Sequence, residues 1–349
     1  MKTIGIIGGG QLGRMLAMAA ARLNFRTVIL EPQPDCPAAQ VANAQIVAAY
    51  DDPGGLDELA RASDLITYEF ENVPVAAAER LTAARPVFPP PKALEVAQDR
   101  LVEKQFINGC GIATARFHAV GSQADLEAAL ADFDGAGVLK TRRLGYDGKG
   151  QRLFRSAADD PSGAFAALGS VPLILESLVP FEREISIIAA RGPDGATACF
   201  DPAENVHRDG ILYTSTVPAS VAAPTAEAAR KAATAILEAL GYVGVIGVEF
   251  FVLADDSVVV NEIAPRVHNS GHWTEAACVV SQFEQHIRAI AGLPLGDPSR
   301  HSDCLMQNLI GDEIAELTNL LGEPNVLVHL YGKAEARPGR KMGHFTRLV

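Results

Sequence analysis

The stretch VEFFVLADDSVVVNE alternates apolar residues with others and reads as a β-hairpin carrying Glu249 and Glu262. With Asp255-Asp256 as a two-residue turn, opposed residues have numbers summing to 511, so Glu249 faces Glu262 and Phe250 faces Asn261. Opposed side chains of an antiparallel pair lie about 4.5–5.5 Å apart at Cβ, where like charges repel. Such a pair either holds a divalent cation, magnesium favouring carboxylates plus substrate phosphates, or lies on a solvated strand edge. The next loop, NEIAPRVHNSGHWT, packs Arg266, His268, Asn269, Ser270 and His272 together, and Pro265 and Gly271 bar a regular helix. His268 and His272 have the i, i+4 spacing of a metal-binding pair without the helix that pairing requires.

Two stretches could handle a nucleotide. In VLKTRRLGYDGKGQ, Lys140 ends an apolar strand, and Gly145, Asp147, Gly148 and Gly150 make a turn whose N–H groups can wrap phosphate oxygens. The plain alternative is a hairpin whose Asp147-Gly148 pair sets the turn; either way it is no Walker A loop. In LILESLVPFERE, Glu176 ends a strand and Glu184 follows eight residues later, either an adenine slot with a carboxylate for ribose or an exposed loop. A third pattern stands at the start: Gly8, Gly10 and Gly13 spell G-x-G-x-x-G after an apolar run, and Glu31 closes the next run. That is the dinucleotide fingerprint, read literally an NAD-dependent oxidoreductase, or else a phosphate-friendly turn put to another use.

The elements that must hold these residues follow from the pattern. Strand and helix signals alternate over the first ninety residues, which predicts a small parallel α/β unit. Pro86, Pro89, Pro90 and Pro91 interrupt it and mark a boundary. Beyond Asp99 hairpins mix with helices, including the Ala-rich TAEAARKAATAILEALG ended by Gly241; after about residue 300 come short strands. The 349 residues suit two or three domains. A net charge of −12 argues against nucleic acid as the main partner, though small anions need only a local basic patch. Five scattered cysteines, no C-x-x-C, no leader and no membrane-length apolar run predict a cytoplasmic protein with reduced thiols.

A Lys-ended strand, a glycine-rich hairpin, an acidic linker and a terminal Asn-Glu strand, in that order, resemble an ATP-grasp ligase. GGGQLGRM, GYDGKGQ, NEIAPRVHNSGHWT and RPGRKMGH together resemble the members that carboxylate aminoimidazole ribonucleotide in microbial purine synthesis. The resemblance covers nearly the whole chain. It implies an α/β and α+β protein: a Rossmann-like pre-ATP-grasp domain (1–95), an ATP-grasp domain (96–298) with a lid at about 115–180, and a small β-rich C-terminal domain (299–349). It implies ATP at Arg100, Lys140, the run Gly145, Tyr146, Asp147, Gly148, Lys149, Gly150 and Gln151, then Glu176, Ser177, Leu178, Val179, Glu184, His207, Asn261 and Glu262. Magnesium falls to Glu249 and Glu262. Ribonucleotide and bicarbonate fall to Gln11, Leu12, Arg266, His268, Asn269, Ser270, Lys333 and Arg340, with Tyr146, Asp147, Lys149, Arg266 and His268 catalytic. The implied reaction uses ATP and bicarbonate through carboxyphosphate, in a cytoplasmic homodimer. Another purine-synthesis ATP-grasp enzyme, such as the formate-using glycinamide ribonucleotide ligase, is the nearest alternative, and the N-terminal glycines become a pre-grasp turn without a nicotinamide.

Overall fold

A computed structural model describes residues 1–145 and 150–349. The N-terminal unit is a four-stranded parallel sheet in the order β3-β2-β1-β4, from β1 (Thr3–Ile7), β2 (Arg26–Leu30), β3 (Ala44–Ile46) and β4 (Leu65–Tyr68). Its strands are apolar runs because helices cover both faces. Helix α1 (Gln11–Arg22) buries Leu12, Met15, Leu16, Ala19 and Ala20, the spacing of one helical stripe. Helix α2 (Pro53–Ala62) starts where Asp52 accepts the Gly55 N–H at 2.6 Å with Pro53 in the first turn. After α3 (Val75–Thr82), the proline run bridges to Ile66 through Val87 and then opens α4 (Pro91–Ala97). Helix α5 (Arg100–Gly109), capped by Asp99, leads into the rest.

A second, antiparallel sheet has the order β5-β8-β6-β7: β5 (Phe117–Val120), β6 (Gly137–Thr141), β7 (Gln151–Phe154) and β8 (Leu173–Glu176). Helix α6 (Gln123–Asp132) seals it over Leu139, Phe154, Leu173 and Leu175. β6 and β7 are the two strands expected on either side of the glycine-rich segment, and they pair with Lys140 opposite Gln151; the expected Asp147-Gly148 turn lies outside the described residues.

The large sheet has nine strands. β9 (Phe181–Arg191) carries the short β10 (Thr197–Cys199) and pairs with β11 (Ala203–Arg208), which pairs with β12 (Ile211–Val217). On its other side β9 pairs with β13 (Gly244–Leu253), which pairs with β14 (Val258–Ala264). The period of two divides β9 and β13 cleanly. Ile185, Ile187, Ala189, Ile246 and Val248 pack under the Ala-rich helix Ala223–Ala239. Ile188, Ala190 and Val245 face the other way, onto α1 and the helix Gln282–Ile290. Glu249 lies on that second face, the side of the N-terminal unit.

The C-terminal strands β15 (Cys304–Ile310), β16 (Val326–Leu330) and β17 (Lys341–Leu348) form where short strands are expected, but they do not make a sheet of their own. β15 pairs with β12, Thr214 opposite Gln307, and continues the large sheet to its edge. Among the described residues no helix is long and apolar enough to cross a membrane.

Candidate active site

One cavity of about 640 Å³ lies where the three sheets meet. Gln11, Leu12, Arg100, Lys140, Gly145, Gln151, Glu184, His207, Glu249, Asn261, Glu262, Arg266, His268 and Asn269 all line it. Glu176, Ser270, Lys333, Arg340, Gly150, Ser177, Leu178 and Val179 are not among its lining residues. Tyr146, Asp147, Gly148 and Lys149 lie outside the described residues.

The hairpin delivers its two glutamates by a different route from the expected one. Near the turn the pairs are Val252–Val258, Phe251–Val259 and Phe250–Val260, closed by a three-residue connection with Asp256 at φ +64°. Glu249 nevertheless faces Glu262, because Asn261 is bulged out and shifts the register by one. Phe250 therefore faces Val260, not Asn261. Helix α5 pins this bulge: Lys104 Nζ donates to Asn261 O at 3.3 Å, and Glu103 Oε1 accepts the Ile263 N–H at 2.7 Å. Arg100 donates to Glu262 at 3.0 Å and to Gly145 O at 2.9 Å.

The two glutamates are short of positive charge. Burial, then the charge of Glu262, lifts Glu249 to about 7. Its neighbour His268 Nε2, 3.3 Å away, is neutral, since burial and the adjacent Arg266 push its pKa well down. Ser186 donates to Ser270 Oγ at 2.7 Å, and Ser270 Oγ lies 2.8 Å from His268 Nδ1. That chain makes Nδ1 the acceptor and leaves the ring proton on Nε2, an assignment drawn from the hydrogen bonds. Two facing carboxylates with an amide beside them are hard oxygen donors, and this set fits a magnesium ion. The histidines part company: His268 faces the cavity, whereas His272 is buried and stacks on His344 at 4.6 Å. Glu275, His329 and His344 bring ligand atoms within 4.8 Å of one another, but Glu275 already pairs with His329 at 2.9 Å and Tyr331 with His344 at 2.8 Å.

Arg266 is clamped by Glu71 at 2.5 Å; burial alone would raise Glu71, yet the guanidinium holds it at about 2. Asn269 keeps both amide atoms buried without a partner among the described residues. A buried amide with no bond is costly unless a ligand supplies one. Beside the second sheet, Lys140 donates to Glu176 Oε2 at 3.0 Å, and Glu176–Val179 link that sheet to the large one. His207 Nδ1 lies 3.0 Å from Glu184; burial would depress the histidine, but the carboxylate raises it. Lys333 donates to Lys341 O at 2.7 Å and is depressed to about 8 by burial and by Arg340 and Lys341.

The N-terminal glycine turn does not offer its donors to a phosphate. Gly9 N–H donates to Glu31 at 2.9 Å, and both Gly10 and Gly13 donate to Glu69. Gly8 (φ +104°) has no room for a Cβ, which would meet Glu69 Cγ at 2.4 Å. Glu31, the would-be ribose acid, also accepts from Tyr50 OH. The dinucleotide reading thus fails on its own donors, and the phosphate-friendly turn is filled by the protein's own carboxylates.

Sequence reasoning missed Glu69, Glu71, Glu103, Lys104 and Lys341. YEFEN stands at the carboxyl end of a parallel strand, where open α/β sheets place their sites. Arg100, Glu103 and Lys104 share one helical face by their spacing. Both signals were readable.

Residues 1–98 match the family model of the ribonucleotide synthetase preATP-grasp domain, 105–283 that of the ATP-grasp domain, and 304–349 that of the phosphoribosylaminoimidazole carboxylase C-terminal domain. The chain is 65% identical to the N5-carboxyaminoimidazole ribonucleotide synthase of Brucella melitensis, covering 99% of this chain and 96% of that one. The synthase of Pseudomonas aeruginosa is 46% identical, with 98% and 93% covered. A crystal structure of an N5-carboxyaminoimidazole ribonucleotide synthetase with ADP matches at TM-score 0.96 and 42% identity, over 100% of this chain and 92% of that one. The synthase of Aspergillus clavatus, solved with ADP and 5-aminoimidazole ribonucleotide, matches at TM-score 0.93 and 31% identity, over 100% and 94%.

Proposed function

Because the chain belongs to the N5-carboxyaminoimidazole ribonucleotide synthase family of ATP-grasp ligases, we propose that its cavity works as one site in which each predicted residue has a distinct task. The reaction is the ATP-dependent carboxylation of 5-aminoimidazole ribonucleotide by bicarbonate, giving N5-carboxyaminoimidazole ribonucleotide, ADP and phosphate in purine synthesis. Bicarbonate is a poor electrophile. Its oxygen first attacks the γ-phosphorus of ATP, ADP leaves, and carboxyphosphate forms. The exocyclic amine then bonds to the carboxyl carbon, or to carbon dioxide released from it, losing a proton as phosphate departs.

Positioning and charge do most of this work. Lys140 and Arg100 face the triphosphate, while Glu176–Val179, Glu184 and His207 receive adenosine. Glu249 and Glu262 hold magnesium, which neutralises the transferring phosphoryl charge when bound. Arg266, fixed by Glu71, and neutral His268, fixed by Ser270, grip bicarbonate. Gln11, Leu12, Asn269, Lys333 and Arg340 take the ribonucleotide, joined by Tyr146, Asp147 and Lys149 from outside the described residues. The lid sheet excludes water, which would otherwise hydrolyse carboxyphosphate.

The observation that carries these assignments is the opposition of Glu249 to Glu262 in the same cavity wall as Lys140, Arg266 and the unpartnered Asn269. The test is ADP formation: it should require aminoimidazole ribonucleotide and bicarbonate together. Turnover supported by formate and glycinamide ribonucleotide instead would assign the site to the other purine ligase. Boundaries at 95 and 298, a cytoplasmic setting and a homodimer belong to the same proposal. Light scattering checks the dimer.

A further inference from the structure

Helix α5 carries a buried ammonium that the assignments above do not use. Lys104 is 1% exposed, and its Nζ reaches Asn261 O at 3.3 Å and Glu176 Oε2 at 3.4 Å. A lysine is almost never buried to this degree without a partner. Here the partner is shared, because Lys140, which lines the cavity, sits 3.0 Å from the same Glu176 oxygen. Two ammonium groups against one carboxylate leave one net positive charge. Without Lys104, Glu176 would neutralise Lys140 in a poorly solvated setting, and little field would remain for an incoming polyanion.

We propose that Lys104 is a positioning residue for ATP: by engaging Glu176 from behind, it keeps the charge of Lys140 available to the triphosphate. The inference rests on the assignment of Lys140 to the ATP site. Its second contact, to the carbonyl of the bulged Asn261, ties the same ammonium to the strand that carries Glu262. The state of Glu176 agrees: burial alone would raise its pKa, yet Lys140 and Lys104 together hold it below the usual carboxylate range.

The test measures ADP formation at saturating ribonucleotide and bicarbonate while ATP is varied. Lys104→Met keeps a long apolar stem and removes the charge. It should raise the KM for ATP about tenfold or more, with kcat and the KM for the ribonucleotide within about threefold of wild type. Lys104→Arg keeps the charge and should stay within about threefold throughout. In a Glu176→Gln background, whose own adenosine contact is already altered, no carboxylate is left to neutralise Lys140, so adding Lys104→Met should change the KM for ATP by less than about threefold relative to Glu176→Gln alone. That double variant buries no unpaired carboxylate and carries the test if the single variant does not fold. The proposal fails if Lys104→Met leaves the KM for ATP unchanged. It also fails if both KM values rise alike with a lower melting temperature, the mark of a merely structural lysine, or if adding Lys104→Met to Glu176→Gln raises the KM for ATP about tenfold over Glu176→Gln alone. A wild-type enzyme that forms no ADP would instead remove the ATP-site assignment on which the inference stands.

Discussion

Two pairs of glutamates sit on the cavity side of this chain, and they are handled in opposite ways. Glu31 and Glu69 are surrounded by donors: the N–H groups of Gly9, Gly10 and Gly13 and the Tyr50 hydroxyl are all turned toward them. Glu249 and Glu262 face each other with one arginine and a neutral histidine for company. The first pair is finished within the fold. The second is left with charge to spare, which a folded protein tolerates where a ligand will supply the remainder. Residue type does not distinguish the two pairs; the supply of local donors does.

The sharpest way to break this comparison is to neutralise one member of each pair. Glu262→Gln should reduce ADP formation to below about one-thousandth, while the melting temperature without magnesium holds or rises as the repulsion disappears. Near-normal turnover at ordinary magnesium would dissolve the distinction. Glu69→Gln should act in the other direction on stability, costing about 1–3 kcal/mol in denaturant unfolding, because a carboxamide cannot accept from both Gly10 and Gly13 as a carboxylate does.

Smaller effects sharpen the functional side. Arg340→Lys should raise the KM for aminoimidazole ribonucleotide more than tenfold, about 1.4 kcal/mol, since an ammonium cannot copy the two parallel bonds of a guanidinium to phosphate. The KM for ATP should barely move, and an equal loss toward both substrates would indicate a folding defect. Lys333 makes a pH prediction. Burial and the nearby Arg340 and Lys341 bring it to about 8, with Glu69 opposing them. It is charged below that pH and neutral above, so the KM for the ribonucleotide should climb about tenfold per unit above pH 8. Lys333→Met should start with a raised KM and abolish that climb. Ser270→Ala removes the partner of His268 Nδ1; it should lower kcat by about tenfold and leave the KM for ATP in place.

What was legible in the sequence was local. The hairpin could be read because alternation has a period of two, and the polar loop after Asn261 because Pro265 and Gly271 exclude a helix. The bulge at Asn261 could not, since nothing between residues 249 and 262 states which residue is extra; α5 decides that from outside through Glu103 and Lys104. The fate of the N-terminal glycines was equally hidden: the carboxylate that fills their turn comes from Glu69, 59 residues beyond Gly10. The C-terminal strands announced themselves, but the strand they join did not.

That last joint has a consequence for how the chain hangs together. β15 lies against β12 over Thr214–Val217, so the C-terminal unit is held by a ladder of backbone hydrogen bonds and not by a tether. A chain ending at Arg300 would bare the row of N–H and C=O groups along β12, an open invitation to sticky edge-to-edge assembly with other copies. The last fifty residues thus cover the β12 edge of the sheet and move that edge out to β16, and they contribute Lys341 to the cavity wall.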